Sequence, residues 1–291
     1  MKNAPTLHRF EYLAFLCFML TVRIVPHSAA RSIGRLLGRI LFTFSRSRRK
    51  LTLSNLAHAF PDQSLDKRRR VARRSFAEMA CSFTDAVSSA RFDAVEICGR
   101  LELDGWEHLE QAEREGKGTI ILGAHIGVWE IISQVVALYK GPVSIVGRPL
   151  DNPFLDRFVA HNRSRFGNIL AGKRGAARAM LRALKAGGRT AILIDQRVQP
   201  KEGIPIPFFG RPASTSPIVA RLSLKTGAPV VPVYAFAASN GRYRIKVHPP
   251  IFPDGSGNDP VRTLTCRYMD GLERVIRKDP AQWLWMHNRW K

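Results

Sequence analysis

One glycine-flanked histidine, in the run Gly123-Ala124-His125-Ile126-Gly127-Val128-Trp129-Glu130, is the residue of this chain best placed to move a proton. It follows Thr119–Leu122, an apolar stretch that reads as a buried strand, and strand ends are where open sheets put their chemistry. A neutral imidazole takes a proton from a hydroxyl at one ring nitrogen when a carboxylate holds the proton on the other. Glu130 is the carboxylate at hand. On one continuous helix, residues five apart point about 140° from each other and do not meet. They meet if His125 sits on a strand-to-helix turn freed by Gly123 and Gly127, and Glu130 lies in the first turns of the helix. The expectation is a His125–Glu130 dyad, with Glu130 on Nδ1 and Nε2 left for a hydroxyl nucleophile. The bare His-x4-Glu pattern is frequent by chance, and a histidine satisfied by a neighbouring carbonyl is the rival reading.

Three further residues are candidates for binding substrate. Arg148 follows a predicted strand and Arg163 lies on the next predicted helix. A guidanidinium at either place pairs with phosphates, or else with Asp151 or Asp156 inside the protein. Asp195 closes an apolar stretch and is expected to orient an arginine or cap a turn. The other histidines carry less. His8, His27 and His58 lie in basic sequence, His108 and His248 in surface-like contexts, His161 on a helix, and His287 among aromatic residues that suggest packing. No pair has the spacing of a metal site.

The elements that must position these residues alternate. Thr119–Leu122, Val143–Val146, Thr190–Ile194 and Val230–Tyr234 read as buried strands, separated by helices over Trp129–Tyr139, Pro153–Phe166, Gly175–Ala186 and Pro217–Thr226. Gly141-Pro142 and Gly187-Gly188 fall between helix and strand, where turn residues belong. Tyr243–Val247 reads as a late strand and Val261–Lys278 as a long helix near the C-terminus. This alternation predicts an α/β fold, a largely parallel central sheet flanked by helices.

The 291 residues carry 46 Lys/Arg against 23 Asp/Glu, a formal charge of +23. Such a chain seeks polyanions. Residues 1–74 alone hold 16 basic residues against three acids, beside the most apolar segment, which favours an anionic membrane surface. Tyr12–Val22 is uncharged, but its eleven residues would rise only about 16 Å where a span needs about 30 Å. Next, Ile33, Leu36, Leu37, Ile40, Leu41 and Phe44 repeat at helical spacing, with Arg31, Arg35 and Arg39 on another face. An apolar hook followed by such a helix reads as a monotopic anchor. A signal peptide ending near Ser28-Ala29-Ala30, or a plain core helix, are the rivals. The expected division is an anchor over residues 1–50 and a catalytic domain over 51–291. The four cysteines, Cys17, Cys81, Cys98 and Cys266, are scattered and are expected to be reduced and buried. A basic nucleic-acid-binding protein has the charge, but no recognised motif is present and the apolar N-terminal run is unneeded there. No nucleic-acid partner is therefore expected.

Several segments in order resemble one family. Gly123–Glu130 is similar to the His-x4-Asp/Glu motif of the bacterial lipid A biosynthesis (late, or secondary) acyltransferases, within the wider glycerolipid acyltransferase superfamily. Val146–Asp156 resembles the family's Arg-Pro segment, Asp195-Gln196 with Pro205–Gly210 its Asp-Gln and Phe-Phe-Gly region, Gly227–Pro232 the strand that follows, and Trp283–Lys291 its terminal signature. The resemblance covers roughly residues 10–291. Val128 stands where many relatives carry Asn, and Arg197 where a second acid is common; an added arginine would favour a phosphate or carboxylate on the acceptor. The resemblance implies transfer of a fatty acyl chain from acyl carrier protein or acyl-CoA to a hydroxyl of a lipid A precursor or related glycolipid, by His125 and Glu130, with no metal and no bound cofactor. A mannosylated or other phosphoglycolipid is the alternative acceptor. It also implies a place on the cytoplasmic face of the inner membrane.

Overall fold

The computed structural model describes residues 4–147, 149–172 and 175–290. Four helices open the chain: α1 (Ala4–Ile24), α2 (His27–Phe44), α3 (Arg46–Ala59) and α4 (Leu65–Ser89). Strands and helices then alternate: α5 (Ala94–Cys98), β1 (Leu101–Asp104), α6 (Trp106–Glu113), β2 (Thr119–Gly123), α7 (Ile132–Lys140), β3 (Val143–Val146), α8 (Pro153–Ser164), β4 (Ile169–Ala171), α9 (Ala176–Lys185) and β5 (Arg189–Leu193). A hairpin, β6 (Ile204–Phe208) and β7 (Arg211–Thr215), precedes α10 (Ile218–Thr226), β8 (Val230–Ala237), β9 (Tyr243–Val247) and α11 (Pro260–Lys278).

Seven strands form one sheet in the order β1-β9-β8-β2-β5-β3-β4. Every pairing is parallel except β8 with β9. β2 lies near the middle and is buried along its whole length, as strands covered on both faces are. Its side chains alternate between layers. Ile120 and Leu122 join Met180 and Leu184 of α9 and Leu264, Met269 and Leu272 of α11, while Ile121 joins Ile132, Val135 and Val136 of α7. The largely parallel α/β sheet expected from the alternation is present. The β6–β7 hairpin was not foreseen. Its two-residue turn, Phe209-Gly210, has positive φ at both positions (51° and 75°), the requirement of the tight turns that match strand twist.

The N-terminal helices are packed onto the rest. α2 approaches α4 on the face of Ala30, Gly34, Gly38 and Phe42. A Cβ at Gly38 would stand 2.4 Å from the Phe76 carbonyl oxygen and 2.6 Å from Ala77 Cα, so only hydrogen fits. Beside this seam the fully buried Asp85 carboxylate meets His27 Nε2 at 2.9 Å and the Arg31 guanidinium. α1 lies against α8, with Tyr12 stacked on Phe154 and Phe15 edge-on to Phe158, ring centres 5.0 Å apart in each pair. Among the described residues no helix is long and apolar enough to cross a membrane. The expected apolar face of α2 is present but turned outward: Leu36, Leu37, Ile40, Leu41 and Phe44 are exposed. Burial of the cysteines holds only for Cys81; Cys17 is exposed and the other two are half-buried, all four as free thiols.

Replacing Gly38 with leucine should therefore lower stability by about 1–3 kcal/mol, the usual cost of overpacking a tight seam. Leu41→Ser, on the outward face of the same helix, should stay within about 0.5 kcal/mol. Denaturant midpoints of the two variants would check this, and equal effects would refute the assignment of faces.

Candidate active site

The site grows from the register of two neighbouring strands. β2 and β5 run parallel with Gly123 opposite Leu193. Two residues beyond those partners lie His125 and Asp195, so the chain turns that leave the two strands bring them together. Asp195 Oδ1 lies 2.9 Å from His125 Nδ1, and its Oδ2 accepts the His125 backbone N–H at 3.0 Å. Trp283 completes the arrangement, its indole N–H donating to Oδ2 at 2.9 Å. The Asp195 carboxylate is 1% exposed. Burial resists its ionisation, but the facing imidazole and the hydrogen bonds from His125 and Trp283 outweigh that, and its pKa lies below the carboxylate range. For His125 burial resists the imidazolium, yet the Asp195 charge and hydrogen bond, helped by Glu130, raise its pKa above the usual value.

The loop behind His125 is tied down from three sides. Gly127 donates to Gln282 O (3.0 Å), Val128 to Ala235 O (2.8 Å), and the Ser82 hydroxyl of α4 donates to Gly127 O (2.6 Å). Leu284 N donates to His125 O at 3.2 Å, so the C-terminal segment forms the back wall. Gly127 has φ +58° and passes so close to Ala235 O that a Cβ would stand 2.1 Å away. Glycine there is a requirement of the turn.

Glu130 does not hold Nδ1; this corrects the dyad expected from spacing. Val128 breaks the backbone with φ −102° and ψ 56°, and a single 3₁₀ turn, Trp129–Ile131, precedes α7. On that turn Glu130 faces α8 instead. Arg163 grips it through Nε (2.9 Å) and Nη2 (2.5 Å), and the Trp129 indole donates to the same carboxylate at 3.1 Å. Arg163 was expected to bind phosphate or pair with Asp151 or Asp156; its bidentate partner is Glu130. Asp195, expected to orient an arginine or cap a turn, is instead the carboxylate on His125 Nδ1. Arg148 lies outside the described residues. Gln196, Trp283 and His287 were not singled out for roles. Gln196 Nε2 lies 3.3 Å from His125 Nε2, and His287 Nε2 accepts the Arg197 backbone N–H at 2.9 Å.

A cavity of about 470 Å³ opens in front of His125. Its rim carries His125, Glu130, Arg163 and Gln196, and its depth is apolar, walled by Ile121, Ile132, Ile145, Ala191 and Leu193 of β2, α7, β3 and β5. The family model of bacterial lipid A biosynthesis acyltransferases matches residues 2–291. The chain belongs to this family. It is an acyltransferase, as its relatives are. It is 24% identical over 301 residues to the lipid A biosynthesis lauroyltransferase of Escherichia coli (strain K12), covering 100% of this chain and 97% of that one. It is also 24% identical over 272 residues to a lipid A biosynthesis acyltransferase of Haemophilus influenzae, covering 92% and 84%. A phosphatidylinositol mannoside acyltransferase of Mycolicibacterium smegmatis is 24% identical over 239 residues, covering 81% and 77%. Among solved structures, the 1-acyl-sn-glycerophosphate acyltransferase PlsC of Thermotoga maritima aligns with a TM-score of 0.41 at 16% identity, over 87% of this chain and 99% of that one; nothing below rests on that likeness.

For the acyltransferase, a raised His125 pKa places the acid limb of kcat/KM above about pH 6.5, the usual imidazole value. Asp195→Asn removes the charge that favours the imidazolium while burial remains, so the limb should move to lower pH. It also leaves one acceptor oxygen for the three donors that meet Asp195, so the tautomer is no longer fixed, and kcat should fall by about 10²–10⁴-fold. Glu130→Gln should move the limb the same way by less, because Glu130 acts on His125 through space. A pH–rate series on the three proteins tests this, and an Asp195→Asn enzyme with wild-type kcat would sink the pairing.

Proposed function

We propose that the protein moves a fatty acyl chain from a thioester donor, acyl carrier protein or acyl-CoA, to a hydroxyl of a lipid A precursor or related glycolipid. The observation that carries this reading is the cavity: an apolar depth for an alkyl chain with the histidine base at its mouth. Each methylene drawn from water into such walls contributes about 0.8 kcal/mol, so the chain seats itself and leaves its carbonyl at the rim. The names of the relatives support the acceptor class.

In this mechanism Asp195 keeps the proton of His125 on Nδ1, and the Nε2 lone pair faces the cavity. The acceptor hydroxyl gives its proton to Nε2 as its oxygen bonds to the thioester carbon, and the carbonyl π pair moves onto oxygen. Asp195 stabilises the imidazolium that forms. When the tetrahedral centre collapses, the C–S bond breaks, sulfur leaves with its electron pair, and the imidazolium returns the proton to it. Ester and thiol are the products. Glu130 lends its remaining negative charge to the imidazolium and anchors Arg163 at the rim, where a guanidinium beside the cavity suits an anionic headgroup.

The donor is the finer part of the proposal. The excess positive charge of the chain, +23, would draw either an acidic carrier protein or the phosphates of CoA. For place, we propose the cytoplasmic face of the inner membrane. Support comes from the outward apolar residues of α1 and α2, Phe10, Leu13, Leu20, Ile24, Leu36 and Leu41 among them, beside Arg35 and Arg39, which are also exposed. Apolar surface next to cations suits the interface of an anionic leaflet.

Purified protein incubated with lauroyl-CoA or lauroyl-acyl carrier protein and a lipid A precursor should yield an acceptor heavier by one lauroyl group in the mass spectrum. His125→Ala should lose this activity by at least about 10²-fold with its melting temperature kept. A product only from a phosphatidylinositol mannoside would move the acceptor to the mannosylated class, and no product from either would defeat the reading. Separately, Leu36→Ser with Leu41→Ser should cut co-sedimentation with phosphatidylglycerol vesicles and leave kcat on detergent-dispersed substrate unchanged. Wild-type protein washed fully off those vesicles by 1 M salt would mean that charge alone holds it, since screening at that strength leaves a Debye length of about 3 Å.

A further inference from the structure

Tetrahedral centres of acyl transfer carry an oxyanion, and enzymes usually meet it with backbone N–H groups on the loop that bears the base or nucleophile. Here four successive amides of that loop are already engaged: His125 with Asp195 Oδ2 (3.0 Å), Ile126 with Ala124 O (2.8 Å), Gly127 with Gln282 O (3.0 Å) and Val128 with Ala235 O (2.8 Å). The Arg163 guanidinium at the rim is held by Glu130 through two of its nitrogens. Among the described residues, one side-chain donor touches the reacting nitrogen itself: the Gln196 amide, 3.3 Å from His125 Nε2.

We propose that Gln196 is a catalytic residue, which caps the base in the empty site and then donates its amide N–H to the thioester oxygen as that oxygen becomes an oxyanion. The tautomer dictates the first state. With the Nδ1 proton directed at Asp195, Nε2 offers only a lone pair, and an amide N–H is the group that satisfies it. The acceptor hydroxyl needs the same lone pair and must approach it to about 2.6–3.2 Å. Its arrival therefore frees the amide beside the attacking oxygen, to which the carbonyl oxygen is joined through a single carbon. The carbonyl oxygen is thus the next acceptor that the displaced N–H meets. Gln196 is exposed, on the turn after β5, and lines the cavity, so a side-chain rotation is sufficient for the exchange. Its neighbour in the chain is Asp195, which is pinned by three hydrogen bonds. One turn thus delivers the carboxylate to one side of the imidazole and the amide to the other. No atom or electron is added to the reaction: the π pair that moves to oxygen in the attack, and returns in the collapse, is the one the amide proton stabilises.

This inference rests on the acyl-transfer reading, and the two fail separately. The test compares wild type, Gln196→Ala and Gln196→Met with lauroyl-CoA and a lipid A precursor, following thiol release and acyl-acceptor mass. The methionine keeps the length of the side chain and carries no donor. Both variants should lose about 10²–10³-fold in kcat, the usual effect of deleting one oxyanion donor, with KM for both substrates within threefold of wild type and an unchanged melting temperature. A wild-type enzyme that transfers no acyl group defeats the acyl-transfer reading itself. An active wild type beside variants with unchanged or raised kcat overturns the role of Gln196 alone, and shows the amide to be only a cap on the base. A loss confined to KM, or wild-type kcat in the methionine variant, also overturns it.

Discussion

Asp195 is an ionised carboxylate with almost no water, and its charge has to be answered by the protein. An unanswered buried charge costs several kcal/mol, and a buried pair repays that only when the remaining lone pairs are also hydrogen-bonded. Three donors meet Asp195: the imidazole N–H, the backbone N–H of the same histidine, and the indole of Trp283. They come from the turn after β2 and from the C-terminal segment, while Asp195 itself lies on the turn after β5. One charge thereby ties three distant parts of the chain into a single geometry. Removing a donor leaves the carboxylate short and loosens the base with it. In the proposed mechanism stability and proton transfer rest on the same bonds, so the tail beyond α11 serves the site as well as the core.

The second carboxylate of the site has a different task because the backbone gives it a different direction. Glu130 sits on a single 3₁₀ turn, where the half-buried guanidinium of Arg163 grips both its oxygens and the Trp129 indole adds a third hydrogen bond. Burial works against that guanidinium, but the hydrogen bond and charge of Glu130 raise its pKa and keep it positive. The two carboxylates therefore divide the work of the rim. Asp195 acts on the imidazole directly, and Glu130 holds a cation in place and adds a weaker field to the imidazole.

What the sequence discloses follows from the range of the signal. His125 was legible because glycines, a strand and a strand end are all local. Its partner was not, because the adjacency of β2 and β5 is a tertiary fact; the carboxylate five residues away looked nearer than the one seventy residues away. With that adjacency known, equal offsets past Gly123 and Leu193 would have pointed to Asp195. The hairpin turn was hidden because Phe209-Gly210 lacks the Asn-Gly or Asp-Gly pair that announces such turns, and Phe209 tolerates its positive φ under the Arg277 guanidinium, 4.7 Å above its ring. In α2 the large apolar residues advertised one face, whereas the face that packs is marked by what is missing, the side chains of Gly34 and Gly38.

The placing of α1 joins the two ends of the substrate problem. Asn152, at the start of α8, donates its side-chain amide to Glu11 Oε2 at 2.9 Å and to His8 O at 3.0 Å, and the aromatic pairs of α1 continue along α8. Just before that junction, Pro149, Leu150 and Asp151 line the cavity. The helix that shows Phe10, Leu13 and Leu20 to the outside is thus built directly onto the lip of the site. In the proposed reaction a lipid acceptor presents a hydroxyl at His125 while its acyl chains stay out of water. That favours apolar exterior surface close to the cavity mouth. The contacts of α1 with α8 bring such surface near the lip on one side, and Phe83, exposed on α4 and edge-on to the cavity-lining Trp129 with ring centres 5.9 Å apart, adds to it on another.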